Sequence, residues 1–279
     1  MSPTDKPLVS IVIPTYNSEK TLPLTLESIR RQTYENIEVI VVDNYSTDRT
    51  VKIAKSYGAE VIQVRGERAK AKNLGLKHAK GKYVLFIDSD MELTPRVVEE
   101  CVSLAESDPR IAGIVIPERS IGNNYWAKVR DFERSFYAGT PIESPRFFRR
   151  DLALQAGGFD EDVVFYEEAT LPLKLEEIGY KVRARISSQI LHREEDLTLA
   201  RLLRKRYYYA KTATKYLEKY GNTHRSYIDF QINPLNRFKL FLANRKFWTN
   251  PRLAVGVVAL KTLEYLASLL GYLTATARK

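Results

Sequence analysis

The sequence predicts an α/β protein: a mostly parallel sheet covered by helices on both faces. Three observations carry this. Residues 9–13, 38–42, 60–64, 83–87 and 113–116 are apolar runs of strand length, rich in β-branched and aromatic side chains. None shows the polar alternation of a half-exposed strand, so each is expected to be buried on both faces. Helix-like stretches separate them, and this alternation produces parallel neighbours joined by crossover connections.

The elements follow in order. Helices are expected at about 20–32, 48–56, 68–79 and 95–107. The second is preceded by Ser46 and Thr47 as candidate caps; the fourth has Thr94 as cap and Pro95 in its first turn. After Pro117 the rhythm changes. A helix over 125–137 leads to residues 144–150, a tight turn at Gly157-Gly158-Phe159-Asp160, a helix over 169–178 ended by Gly179, and a strand over 181–186. A long basic helix is expected from Asp196, as its cap, to about Tyr220. This gives an α/β domain at 1–195, a basic helical segment at 196–252 and a tail at 253–279, with no internal repeat.

Composition bounds the class. With 44% hydrophobic and 28% charged residues over 279 positions, the chain is globular. A single cysteine, Cys101, excludes an intrachain disulfide and a cysteine-based zinc site. Met1 to Pro7 lack the apolar core of a signal peptide, so the cytoplasmic side is expected. Lys and Arg number 28 against 31 Asp and Glu in residues 1–200, but 13 against 2 in residues 201–252. That basic segment also holds Tyr207, Tyr208, Tyr209, Phe238, Phe241, Phe247 and Trp248, a mixture suited to nucleic acid or to an anionic membrane. The following tail is apolar apart from Lys261 and Glu264. On a helix these two share a stripe with Tyr265, Ser268 and Tyr272, opposite Val255, Leu263, Leu266, Leu269, Leu270 and Leu273. The tail favours a membrane over nucleic acid, with the helix lying in the interface; a helix that closes a core or a dimer contact is the alternative.

The chemistry concentrates at strand ends. The run 83–87 stops at Asp88-Ser89-Asp90, where an open α/β sheet binds ligands, and two hard oxygen ligands there suit a divalent cation that also holds phosphate oxygens. A polar turn is the bland reading of the same residues. Converging loops weigh against it. Pro14 to Glu19 offers an aromatic face and hydrogen-bonding groups, Asp43 an acceptor for a base N–H, and Arg68, Lys70 and Lys72 the cations a diphosphate requires.

These segments resemble family-two glycosyltransferases of the GT-A fold. The resemblance runs from about Leu8 to Tyr220. It rests on the opening Leu8-Val-Ser-Ile-Val-Ile-Pro-Thr-Tyr-Asn17, on Val42-Asp43 followed by Ser46-Thr47-Asp48, on Ala71-Lys72-Asn73-x-Gly75, on Lys80-Gly-Lys-Tyr leading to Asp88-Ser-Asp90, and on Gly157-Gly-Phe-Asp-Glu161. It implies an inverting transfer from a nucleotide-sugar to a lipid-linked acceptor, with GDP-mannose preferred over a UDP-sugar. Pro14, Tyr16, Glu19 and Asp43 are then expected to hold the nucleoside, and Arg68, Lys72, Arg204 and Arg206 the diphosphate. Asp90 is expected to ligate Mg²⁺ or Mn²⁺, with Asp88 and His192 assisting. Gly158, Phe159, Asp160 and Glu167 fall on the acceptor side, and Glu168 on the catalytic base. Relatives carry Glu-Asp where this chain has Glu167-Glu168, and Arg where it has Lys72. A sugar-1-phosphate nucleotidyltransferase is the alternative enzyme, but its glycine-rich first loop is missing from residues 14–19; a non-catalytic sugar- or membrane-binding module is the alternative outside catalysis. No Gly-x-Gly-x-x-Gly follows a strand, which disfavours a dinucleotide-binding dehydrogenase.

Overall fold

The computed structural model describes residues 6–277. Residues 1–5, most of the polar leader considered above, and residues 278–279 of the tail lie outside it. The chain forms two compact units that are not continuous in sequence.

The first unit comprises the chain up to Glu118 together with Ser144–Glu161 and Glu167–Arg193. Its elements are β1 (Val9–Thr15), α1 (Leu22–Arg30), β2 (Ile37–Asp43), α2 (Thr50–Ser56), β3 (Glu60–Gln63), α3 (Arg68–His78), β4 (Tyr83–Phe86), β5 (Met91–Leu93), α4 (Val97–Ser107) and β6 (Gly113–Val115). After the insertion of part of the second unit come β8 (Phe147–Arg149), α6 (Arg150–Gln155), α7 (Glu167–Glu177), β9 (Ala184–Arg185) and β10 (Ile190–Arg193). The sheet order is β3-β2-β1-β4-β8-β6-β9. Strands β1 to β4 pair in parallel, as the alternation predicts, whereas β8 is antiparallel to both β4 and β6.

Side-chain period explains the two-faced core. Val9, Ile11, Ile13, Tyr83, Leu85 and Ile87 point to one face with Leu22, Leu26, Val97 and Cys101. Val12, Val84 and Phe86 point to the other with Leu76, Leu152, Leu171 and Leu175. Burying each of the large side chains contributes about 1.5–3 kcal/mol, which is why the strands read as unbroken apolar runs. Two expected caps are used differently. The N-cap of α2 is Arg49 and that of α4 is Arg96, neither with a side-chain cap bond. Asp48 accepts from the Thr50 N–H instead, and Thr94 exchanges bonds with the backbone of Gln189.

The second unit comprises Arg119–Glu143, Asp162–Tyr166 and the chain from Glu194 on. It carries most of β7 (Glu118–Ile121), α5 (Tyr125–Arg134), α8 (Leu199–Ala210), α9 (Ala213–Tyr220), α10 (Arg225–Ile232), α11 (Pro234–Leu242), α12 (Arg245–Trp248) and α13 (Pro251–Thr276). The single basic helix expected from Asp196 is two helices, and its cap is Thr198, which accepts from the Arg201 N–H. The break falls at Thr212, whose hydroxyl accepts from the N–H groups of Val164 and Phe165.

Helix α13 inverts the expected orientation. Lys261 and Glu264 are buried and ion-paired at 2.6 Å; Lys261 also pairs with Glu133, and Arg206 lies 3.3 Å from Glu264. Val257 and Leu260 are buried beside Phe241 and Phe247. By contrast Val255, Leu266, Leu269, Leu270 and Leu273 are each at least half exposed. The polar stripe expected to face water is therefore the packed face, because its charges find partners only there.

Candidate active site

At the end of β4 the chain turns sharply through Asp88-Ser89-Asp90, the Met91 N–H returning to the Asp88 carbonyl. Ser89 fastens the turn: its hydroxyl meets that of Ser18 at 2.8 Å and its carbonyl accepts from Thr25. The two carboxylates meet different surroundings. Asp88 lies 3.8 Å from Arg68 and 3.7 Å from Arg146. Burial raises the pKa of Asp88, but Arg146, Arg68, Lys72 and His192 outweigh it and hold the carboxyl well below the usual carboxylate range. The Asp90 side chain is 38% exposed and lies 3.3 Å from His192 Nε2. Strand β10 brings His192 there by pairing antiparallel with β5, opposite Met91.

Asp90 and His192 thus offer one carboxylate oxygen and one imidazole nitrogen, leaving the remaining positions of a divalent cation to phosphate oxygens and water. That donor set fits Mn²⁺ or Mg²⁺. No three His, Cys, Asp or Glu side chains converge into a preformed metal cage among the described residues.

Arg146, which sequence reasoning missed, is central to the cluster. Its Nε donates to Glu118 at 2.6 Å. Burial lowers its pKa, yet Glu118, Asp88 and Glu168 more than compensate and keep it charged. Its place follows from β8 running antiparallel beside β4, with the Phe86 N–H bonded to the Arg146 carbonyl. No sequence signal distinguishes that insertion from a loop. Glu168 is the second residue of α7, and Glu167, the first, is buried.

The expected nucleoside loops divide into exposed and committed residues. Tyr16 is 63% exposed at the end of β1, as is Tyr45 (47%) after β2, with Arg65 above its ring at 5.1 Å. Tyr45 is a second aromatic face that the sequence reading left unassigned; its φ of 53° marks a special backbone position. Pro14 is half-buried beside them, and Glu19 pairs with Arg49. Asp43 requires correction. It is fully buried and accepts from Thr15, Gln63, and both the N–H and hydroxyl of Ser46. With four donors in place it holds the loop and has no free acceptor for a base edge.

Lys72 and the acceptor-side turn also depart from expectation. Lys72 is 4% exposed and donates to Glu167 at 3.0 Å, so it faces a carboxylate inside the protein, not a diphosphate. Glu167 is correspondingly tied to α3. Asn73 clamps the turn by accepting from the Phe159 N–H and donating to the Phe159 carbonyl. Gly158 has φ +70°, and a Cβ there would lie 2.3 Å from Asn73 Oδ1. Phe159 is 4% exposed and packs edge-on against Phe86 and Phe148, and Asp160 pairs with Lys174 at 2.6 Å. Phe159 therefore builds the turn and does not face an acceptor. In the second unit, Arg204 is exposed on α8, while the guanidinium of Arg206 is engaged by Glu264.

The sequence profile of glycosyl transferase family 2 matches residues 10–166, more than half of the chain and every strand-end loop just described except that of His192. The chain belongs to glycosyl transferase family 2. Similar members include glycosyltransferase GlyG of Streptococcus pneumoniae, 36% identical over 43% of this chain and 43% of its own. Another is the Escherichia coli UDP-Glc:alpha-D-GlcNAc-diphosphoundecaprenol beta-1,3-glucosyltransferase WfaP, 44% identical over 30% of this chain and 35% of its own. The match thus spans less than half the length of these relatives. Among solved structures, the mannosyltransferase PcManGT of Pyrobaculum calidifontis, in complex with GDP-Man and Mn²⁺, has a TM-score of 0.68 at 20% identity, over 99% of this chain and 89% of its own. That likeness establishes the GT-A fold for this member of the family.

Proposed function

We propose that this family member is an inverting, divalent-metal-dependent glycosyltransferase that passes a sugar from a nucleotide-sugar to a lipid-linked acceptor at the cytoplasmic face of a membrane. The observation that carries the reading is the Asp90–His192 pair at the carboxyl edge of the parallel strands, beside the cationic Arg68 and Arg146. A cation held there, Mg²⁺ or Mn²⁺, would neutralise the charge that develops on the departing nucleoside diphosphate. Tyr16 and Tyr45 offer faces for a base, and Arg204 remains a candidate for the diphosphate. Glu168 is the base that removes the acceptor proton.

The donor favoured is GDP-mannose over a UDP-sugar, supported by the GDP-Man complex of the structural neighbour. A lipid-linked acceptor is supported by the diphosphoundecaprenol acceptor in the name of WfaP. Membrane association is supported by α13, which is long and apolar enough to cross a bilayer but buries Lys261 and Glu264 in protein and exposes leucines. Such a helix suits an interfacial position, with the basic residues of 201–252 meeting anionic headgroups. Nucleic acid has no role in this reading.

The test is nucleoside diphosphate release from GDP-mannose, UDP-glucose and UDP-GlcNAc with Mn²⁺, with polyprenyl phosphate or polyprenyl diphosphate-sugar in vesicles. Release from one donor that depends on both metal and lipid supports the proposal. Release from none, by a folded protein that binds vesicles, contradicts it.

A further inference from the structure

Helix α7 opens with Glu167 and Glu168, and only the first of them is locked in place. Glu167 is 2% exposed and Lys72 is 4% exposed, and Lys72 Nζ donates to Glu167 Oε1 at 3.0 Å across 95 residues of sequence. Arg68 Nε lies 3.6 Å from the same oxygen. Phe159 completes the enclosure, its ring 5.0 Å from Lys72 Nζ. Glu167 Oε2 is buried without a hydrogen-bond partner. A half-satisfied buried ion pair is a poor source of stability, since an apolar pair of similar volume commonly does as well. What the pair does supply is position. It ties the first residue of α7 to the fifth residue of α3, the helix whose first residue, Arg68, faces Asp88. Tyr166, immediately before Glu167, has φ 53°, so the chain enters α7 through a conformation that a non-glycine residue adopts only when its surroundings impose it.

We propose that Lys72 and Glu167 form an internal clamp that positions Glu168 for proton transfer, and that neither touches donor or acceptor. The inference rests on Glu168 being the base. Burial excludes direct contact in this arrangement, and the spacing makes the consequence specific: Glu168 is the next residue along the helix. Loss of the clamp displaces a carboxylate that must sit within hydrogen-bond reach of the acceptor, and a shift of about 1 Å costs roughly a hundredfold in rate. Nucleotide affinity changes little, because both clamp side chains are buried and their link to the nucleotide side is Arg68, 3.6 Å from Glu167. Lys72→Arg restores the pair, the longer guanidinium still reaching Glu167.

The experiment compares Lys72→Met, Glu167→Gln, Lys72→Met/Glu167→Gln and Lys72→Arg with the wild type. Two quantities are read: kcat and KM for hydrolysis of whichever of GDP-mannose or UDP-glucose the wild type turns over with Mn²⁺, and the Kd of GDP and UDP with Mn²⁺. The clamp predicts that each single loss lowers kcat about a hundredfold with nucleotide Kd within about twofold, that the double variant is no worse than either single, and that Lys72→Arg recovers most of kcat. The double variant leaves no unpaired buried charge, so it carries the test if the singles do not fold: lowered kcat with retained Kd supports the clamp, and wild-type kcat overturns it. A rise in Kd with Lys72→Met, or losses that multiply in the double variant, also overturns it. Glu168→Gln in the same assay separates the two levels. Unchanged turnover there removes the base itself, whereas a loss there without a loss in the clamp variants overturns the clamp alone.

Discussion

Asp88 and Asp90 stand two residues apart and are suited to different tasks. Asp88, between Arg68 and Arg146, is held as an anion by neighbours that also restrain its position. Asp90 is more exposed and has an imidazole across from it, and it is the carboxylate proposed here as the direct ligand. Asp90→Ala should therefore abolish Mn²⁺-dependent nucleotide binding and lower turnover by roughly a hundredfold or more while the melting temperature without ligand stays near that of the wild type. Calorimetric titration of GDP and UDP with and without Mn²⁺ checks this, and metal-dependent binding that survives the substitution assigns the cation elsewhere. For Glu168 the size of the effect depends on the acceptor. With a sugar hydroxyl, Glu168→Gln is expected to reduce kcat by about 10²–10⁴-fold with donor affinity preserved. A lipid phosphate is already ionised near neutral pH, so the loss should be much smaller. Measuring kcat on both acceptor types distinguishes them, and loss of donor affinity in the variant moves Glu168 to the nucleotide side.

The motif glycines explain how elements reach their places. Helix α3 lies close on β1 because position 75 has no side chain: a Cβ there would sit 2.3 Å from Val12 Cγ1. Gly75→Ala should destabilise the protein by about 1–3 kcal/mol, the usual cost of overpacking, and Val12→Ala should recover part of it by opening the space. Thermal melts of the two single variants and the double variant check this; additive losses would place the strain elsewhere. Strands β1 to β4 and their helices were legible in the sequence because buried parallel strands are apolar throughout and their loops carry motif residues at fixed places. Strand β8 was not legible, since three residues, Phe147–Arg149, carry no periodicity, and Arg146 was missed with it. Tyr16 stands just after β1, and Asp90 and His192 lie 3.3 Å apart, so these three expected site residues stay at strand ends. Residue type alone could not show that Asp43 is enclosed by donors from Thr15, Ser46 and Gln63, or that Lys72 is paired with Glu167 95 residues away. Burial decides that, and burial of a polar residue leaves no mark in its own sequence position. The same reason explains α13, where Lys261 and Glu264 looked like a solvated stripe until Glu133 and Arg206 supplied buried partners.

At the scale of the whole molecule, the chain carries two surfaces of different character. One is the strand-end cluster of the first unit. The other is the outer face of α13, where Leu266, Leu269, Leu270 and Leu273 are exposed on a helix whose inner face builds the core of the second unit. Deleting the tail would remove that core, so the membrane role is better tested on the surface. Leu269→Glu/Leu273→Glu should weaken co-sedimentation with vesicles containing anionic phospholipid and leave the melting temperature nearly unchanged. The binding that remains should fall further as salt screens the basic segment. Equal binding by variant and wild type would contradict interfacial insertion. The strand-end cluster is tested most directly by metal-dependent nucleotide recognition. Thermal shifts are measured for the wild type and Asp90→Ala with GDP, UDP, GDP-mannose and UDP-glucose, each with and without Mn²⁺. A ligand at about a hundred times its Kd adds about 2.7 kcal/mol to the folded state, enough to raise the melting temperature by several degrees. Such a rise is expected for at least one nucleotide, present only with Mn²⁺ and lost in Asp90→Ala; no rise with any of them, or an equal rise in Asp90→Ala, rules out a metal-dependent nucleotide site at Asp90.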